Sequence, residues 1–151
     1  VTTGHPLADL AILFLAAFGA ATILPFQSEI VFAALQSAGT APLWVIIAVA
    51  SVGNTLGSVV NYVMGLGIER LKGRRWFPAS EAQLARAQDW YSRWGIWSLL
   101  LSWAPLGDAI TVAAGIFRTR FAVFLILVAI AKTGRYIVFA GLVDGAIRTF
   151  G

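Results

Sequence analysis

Cysteine is absent from this 151-residue chain, which excludes a disulfide framework, a thiolate nucleophile and a sulfur-ligated metal. Histidine occurs once, as His5, with no second ligand at a useful spacing, so it reads as a terminal residue and no metal site is expected. No nucleophile–base pair, H-E-x-x-H or glycine-rich phosphate loop is present, so neither an enzyme nor a cofactor is expected. Charge is scarce. Ionised residues make up 12% of the chain and hydrophobic residues 59%, whereas soluble domains hold about 25% and about 45–50%. With a mean hydropathy of +0.82, the chain reads as an all-α integral membrane protein. Lys and Arg are lacking ahead of the first apolar run, which argues against a cleaved signal peptide.

What charge there is lies unevenly. Six of the eleven basic residues fall within 70–93. A local basic loop beside apolar segments marks a cytoplasmic side, and no nucleic-acid partner is expected.

The apolar run 10–38 contains 29 residues and one charge, Glu29. A membrane-spanning helix needs about 20 residues, so the run is too long for one upright span and too short for two. Pro25 lacks an amide donor and disfavours helix at Leu24, so the run should break there. Irregular backbone at membrane depth is tolerated only inside protein or along a wet cavity. The spacing predicts a re-entrant hairpin over 10–38 with a polar tip.

Residues 43–66 form one apolar helix long enough to cross. Gly53 and Gly57 make a G-x-x-x-G pair that admits a close helix neighbour, a second copy of the chain being one option. Asn54, Ser58, Asn61 and Tyr62 give that helix a polar stripe, open to two readings: interhelical hydrogen bonding or the lining of a polar path. Residues 69–95 are hydrophilic. Ser80 with Gln83 makes a capping box, and Gly95 should end the helix it starts. Leu84, Ala87, Tyr91 and Trp94 share one face, with Arg86 and Arg93 elsewhere, and this pattern predicts an amphipathic helix lying in the membrane surface.

Residues 96–117 repeat the first theme. Pro105 and Gly107 break the run, and Asp108 follows as Glu29 follows Pro25. Pro25 and Pro105 are 80 residues apart, Glu29 and Asp108 79, Gly65 and Gly145 80. A last crossing helix is expected over 121–143, with Lys132 and Arg135 one turn apart near its middle. If 96–117 re-enters and returns, Arg118 and Arg120 share the cytoplasmic side with the basic loop, as the positive-inside rule prefers. Arg148 at the outer end is discordant. The expected fold is two oppositely oriented re-entrant helical hairpins, each followed by a transmembrane helix. Such inverted repeats place transport sites at the midplane, where the broken elements meet.

Glu29, Asp108, Lys132 and Arg135 all fall near membrane depth. Each costs about 2.5–3.5 kcal/mol if left unpaired there, so the four must pair, meet water or titrate. A carboxylate at a broken tip can carry a proton across, and Lys132 with Arg135 can hold an anion such as a phosphate. Two buried salt bridges of purely structural purpose are the alternative, although desolvation offsets most of the gain from such pairs.

Three stretches resemble the DedA family of VTT-domain (SNARE-associated Golgi protein-like) membrane proteins, most closely its short YqaA-type bacterial members. They are Pro25-Phe26-Gln27-Ser28-Glu29, Gly53-Asn54-Thr55-Leu56-Gly57 with Asn61, and Trp103-Ala104-Pro105-Leu106-Gly107-Asp108 ahead of Ala114-Gly115. Lys132-Thr133-Gly134-Arg135-Tyr136 fits as well, and the likeness covers roughly residues 10–145. The resemblance implies a multi-pass protein of the bacterial cytoplasmic (inner) membrane with two opposed re-entrant hairpins. It implies a flippase or scramblase of phospholipid or polyprenyl phosphate, with membrane lipids and protons as partners. Longer family members carry arginines around the second proline, where this chain has Trp103 and Asp108, so their phosphate site is not carried over. A small-solute or ion transporter on the same scaffold and a non-transporting membrane adaptor are the alternatives.

The topology is tested by labelling Lys72→Cys, Thr119→Cys and Thr40→Cys singly with an impermeant thiol reagent, in a chain free of background thiols. Positions 72 and 119 are expected to label from the same side and position 40 from the other. Labelling of 72 and 119 from opposite sides would make 96–117 a true span.

Overall fold

The computed structural model describes residues 4–20, 27–67, 80–103 and 107–150, and all regular structure among them is helical. The helices are α1 (Pro6–Ala20), α2 (Gln27–Ala38), α3 (Leu43–Leu66), α4 (Glu81–Trp94), a 3-10 helix (Gly95–Leu101), α5 (Gly107–Ile116) and α6 (Phe121–Phe150). The breaks expected at Pro25 and Pro105 lie outside the described residues, as does the basic run 70–75.

Among the described residues, only α3, with 24 residues, and α6, with 30, are long and apolar enough to cross a membrane. At about 1.5 Å per residue, each exceeds a hydrocarbon core of about 30 Å. With 15, 12 and 10 residues, α1, α2 and α5 are each too short to do so alone.

Local chemistry explains most boundaries. Pro6 opens α1, where its missing amide would have lacked a partner anyway, four residues ahead of the expected start. The capping box forms as expected: Gln83 N donates to Ser80 Oγ at 3.1 Å, and Ser80 N donates to Gln83 Oε1 at 3.0 Å. Gly95, at φ 60°, stops α4. The last helix runs to Phe150, past the expected end at 143. Its final turns are polar yet helical because Asp144 and Arg148 pair one turn apart at 3.3 Å on the exposed face.

The amphipathic helix is placed differently from the expectation. Leu84, Ala87 and Tyr91, three of the four residues expected against the bilayer with Trp94, pack inside the protein on Leu99, Met64 and the small residues Ala109, Ala113 and Ala114 of α5. Small side chains on α5 let α4 approach closely, so the protein itself covers that face. Trp90 and Trp94 remain exposed on the outer side. The Tyr91 hydroxyl reaches Thr119 Oγ1, and Tyr62 donates to the Thr119 carbonyl, so one turn residue ties α4 and α3 together. Burial pushes the Tyr91 phenol above its ordinary range, with the Thr119 hydrogen bond opposing part of that rise.

Two apolar cores result. One joins Leu13 and Ala17 of α1, Phe32 and Leu35 of α2, the first half of α3 (Ile46, Ala50) and the second half of α6 (Tyr136, Ala140). The other joins α4, the 3-10 helix and α5 to Tyr62 of α3 and to Phe124 and Val128 of α6. The two long helices are therefore antiparallel, each contributing one half to each core.

Glycine sets how closely α3 is approached. A Cβ on Gly53 would lie 2.7 Å from the Phe14 carbonyl, so α1 of the same chain takes up that surface. At the other end Gly65 and Gly115 face one another, and a Cβ on Gly115 would stand 3.0 Å from the Gly65 Cα and collide with the Tyr62 carbonyl. Gly115→Ala and Gly65→Ala should each destabilise the detergent-solubilised protein by about 1–3 kcal/mol through overpacking. Gly141→Ala, which meets nothing within 4 Å, should be neutral or slightly stabilising. Melting curves of the three variants check this ordering.

Candidate functional site: a charged cavity at half-height

The layer between the two cores is polar. It lies half-way along both long helices, at Asn54 and Ser58 of α3 and at Lys132 and Arg135 of α6. Glu29 and Asp108 each sit in the first turn of a short helix, α2 and α5, where amide groups and the helix dipole favour a negative charge.

The four charges form two pairs of different character. Arg135 Nη2 donates directly to Glu29 Oε1, with both side chains about one-quarter exposed. Lys132 is 1% exposed. Its Nζ donates to the Ser102 carbonyl at 3.0 Å and lies 3.9 Å from Asp108 Oδ1, within ion-pair reach but too long for a hydrogen bond. Hydrogen bonds brace the residues beside both acids: Tyr136 donates to the Ser28 side chain at Oγ, 3.0 Å, and Thr111 Oγ1 donates to the Asp108 carbonyl at 2.7 Å. Phe32 stacks on Tyr136 with ring centroids 5.5 Å apart.

These groups line one cavity of about 850 Å³. Glu29, Asn54, Ser102, Asp108, Lys132 and Arg135 form its polar wall, and Leu100, Trp103, Ile130, Val138, Phe139 and Leu142 its apolar one. The four residues expected to carry charge chemistry thus come together although they are spread over more than 100 positions.

The polar stripe of α3 divides. Asn54 lines the cavity and also donates Nδ2 to the Ala17 carbonyl at 2.8 Å, while its Oδ1 is buried with no partner among the described residues. Ser58, Asn61 and Tyr62 do not line the cavity. Ser58 Oγ donates to the Asn54 carbonyl at 3.2 Å, Asn61 Nδ2 to Thr111 Oγ1 at 3.2 Å, and Tyr62 to the Thr119 carbonyl. Pro25 and Pro105 lie outside the described residues. Gly107 is held against Ser102, whose Cα would lie 2.8 Å from a Cβ placed there.

Sequence reasoning passed over Ser28 and Ser102. The available signal was position: each stands three residues from a proline in an apolar run, and each bonds a residue of α6, Ser28 through its hydroxyl and Ser102 through its carbonyl.

Comparison with known proteins agrees with this architecture. Residues 24–145 match the VTT domain. The inner membrane protein YqaA of Escherichia coli is 33% identical over 129 residues, covering 85% of this chain and 86% of that protein. An uncharacterized protein of Haemophilus influenzae is 32% identical over 140 residues, covering 85% and 83%. No solved structure matches. The chain is an inner-membrane protein, and it belongs to the VTT-domain (DedA) family.

Proposed function

We propose that the protein moves a phosphate-bearing membrane lipid between leaflets, with the headgroup passing through the half-height cavity and the acyl chains remaining in the bilayer. One observation carries this reading: the apolar wall of the cavity is built from exposed side chains of α6. Ile130, Val138 and Leu142 line it and are also 57%, 64% and 68% exposed. We read this edge as a lateral mouth toward the bilayer. A lipid needs such a lateral mouth because its tail cannot leave the hydrocarbon, whereas a solute or ion path is served better by walls closed to lipid.

Within this reading α1 with α2, and the 3-10 helix with α5, act as opposed re-entrant arms whose tips meet at the midplane. Lys132 and Arg135 receive the phosphate by charge-assisted hydrogen bonds. Glu29 and Asp108 balance those cations when the site is empty and offer places for a proton when a phosphate displaces them. The cavity is neutral over these four groups, so an entering anion exchanges partners and the site need not collect net charge. Proton coupling and passive scrambling then differ only in whether the displaced carboxylates bind protons during the cycle.

The test is leaflet exchange of a labelled lipid phosphate by purified protein in liposomes, with and without an imposed pH gradient. Glu29→Gln and Asp108→Asn should each lower exchange at least about tenfold, equivalent to about 1.4 kcal/mol of lost transition-state stabilisation, with membrane insertion near normal. Val138→Trp with Leu142→Trp should narrow the mouth and slow exchange similarly. Full exchange in Glu29→Gln/Asp108→Asn would reduce the charges to structural ion pairs. Exchange lost only in response to a gradient would identify proton coupling.

A further inference from the structure

We infer that the Ser102 carbonyl and the Asp108 carboxylate form a monovalent-cation site, and that the Lys132 ammonium fills it as a tethered cation. The inference concerns the cavity already described but does not rest on the lipid reading, because its test measures the stability of the solubilised protein.

The two oxygens come from the end of the 3-10 helix and the start of α5. Ser102 follows the 3-10 helix directly, so its carbonyl is a terminal acceptor at the negative end of that helix. Gly107 presses on it from the far side, where any side chain would collide with that carbonyl. Asp108 is the next residue. The Lys132 Nζ donates to the carbonyl at 3.0 Å and stands 3.9 Å from the carboxylate, so one ammonium serves both oxygens, the first by a hydrogen bond and the second by charge. Ser102 Oγ, in a residue 1% exposed, has no hydrogen-bond partner among the described residues. Backbone carbonyls at the C-terminal end of a half-helix are groups that coordinate sodium ions or protons in transporters, and here a carboxylate stands beside one.

The first half of the molecule shows that capping alone does not require a charge. There the Ala17 carbonyl, in the last turn of α1, is capped by the neutral amide of Asn54 at 2.8 Å. Glu29 in that half has its own cation, Arg135. In the second half one side chain serves both purposes, and only a cation can do so. The charged groups facing Lys132 are Asp108 from α5 and Arg135 one turn along its own helix, with Glu29 beyond Arg135; α3 contributes only the neutral Asn54 to the cavity wall.

Removing the tether should therefore leave a site for a free small cation. Lys132→Ala, purified in detergent, is melted in choline chloride, sodium chloride and methylammonium chloride at equal ionic strength. The variant is expected to melt below wild type in choline and to regain stability saturably with sodium or methylammonium, as a ligand of the folded state must. Wild type should respond equally to all three salts. Lys132→Ala/Asp108→Asn, with no carboxylate to neutralise, should recover stability without any cation and lose the response. If Lys132→Ala cannot be extracted, extraction in methylammonium must recover it, and the double variant must be recoverable in choline. A folded Lys132→Ala indifferent to all cations, a wild type as responsive as the variant, or failure of both extractions would overturn the assignment.

Discussion

Neutralising charge at half-height is the constraint on which this structure depends. Two cations lie midway along α6 and two acids in the first turns of α2 and α5, where leaving all four unpaired would cost on the order of 10 kcal/mol. The chain meets this by bringing two helix N-termini, each carrying one acid, to the same level as two cations on α6. Short helices are needed for that arrangement, because a helix that crossed completely would carry its N-terminus to the membrane surface. The two apolar cores above and below the charged layer follow from it, each built on one half of α3 and the opposite half of α6.

Small residues on α3 make the arrangement compact enough to hold. Gly53 admits α1, and Gly65 with Gly115 admits α5, so both short-helix units sit against the same spine. The two halves differ in chemistry. The first arm of one is an α-helix capped by an amide, and the first arm of the other is a 3-10 helix capped by an ammonium. The direct Arg135–Glu29 contact and the looser Lys132–Asp108 pair extend that difference to the site itself.

Much of this was legible in the sequence where one residue type has one physical use. The helix over Leu43–Leu66, the capping box at Ser80 and Gln83 and the stop at Gly95 follow from local rules and stand as read. Charges inside apolar runs pointed to Glu29, Asp108, Lys132 and Arg135 because the bilayer admits few reasons for them. Less legible was anything decided by partners distant in sequence. The face of α4 carrying Leu84, Ala87 and Tyr91 has the period of a membrane-surface helix, yet the small residues of α5 were there to receive it. Asn61 and Tyr62 looked like a path because spacing cannot say that Thr111 and Thr119 stand opposite them. The end of α6 was read too early because a single exposed ion pair, Asp144 with Arg148, carries the helix on after the apolar pattern stops.

Both cations of the layer ride on one helix, three residues apart, while the acids they meet belong to separate units. A stiff rod cannot displace its backbone at one of these positions and leave the other behind. Any tilt or slide of α6 that loosens Arg135 from Glu29 must also alter the distance from Lys132 to Asp108. The two ion pairs are thus geared together along a single mechanical coordinate, and neither can be released without disturbing the other.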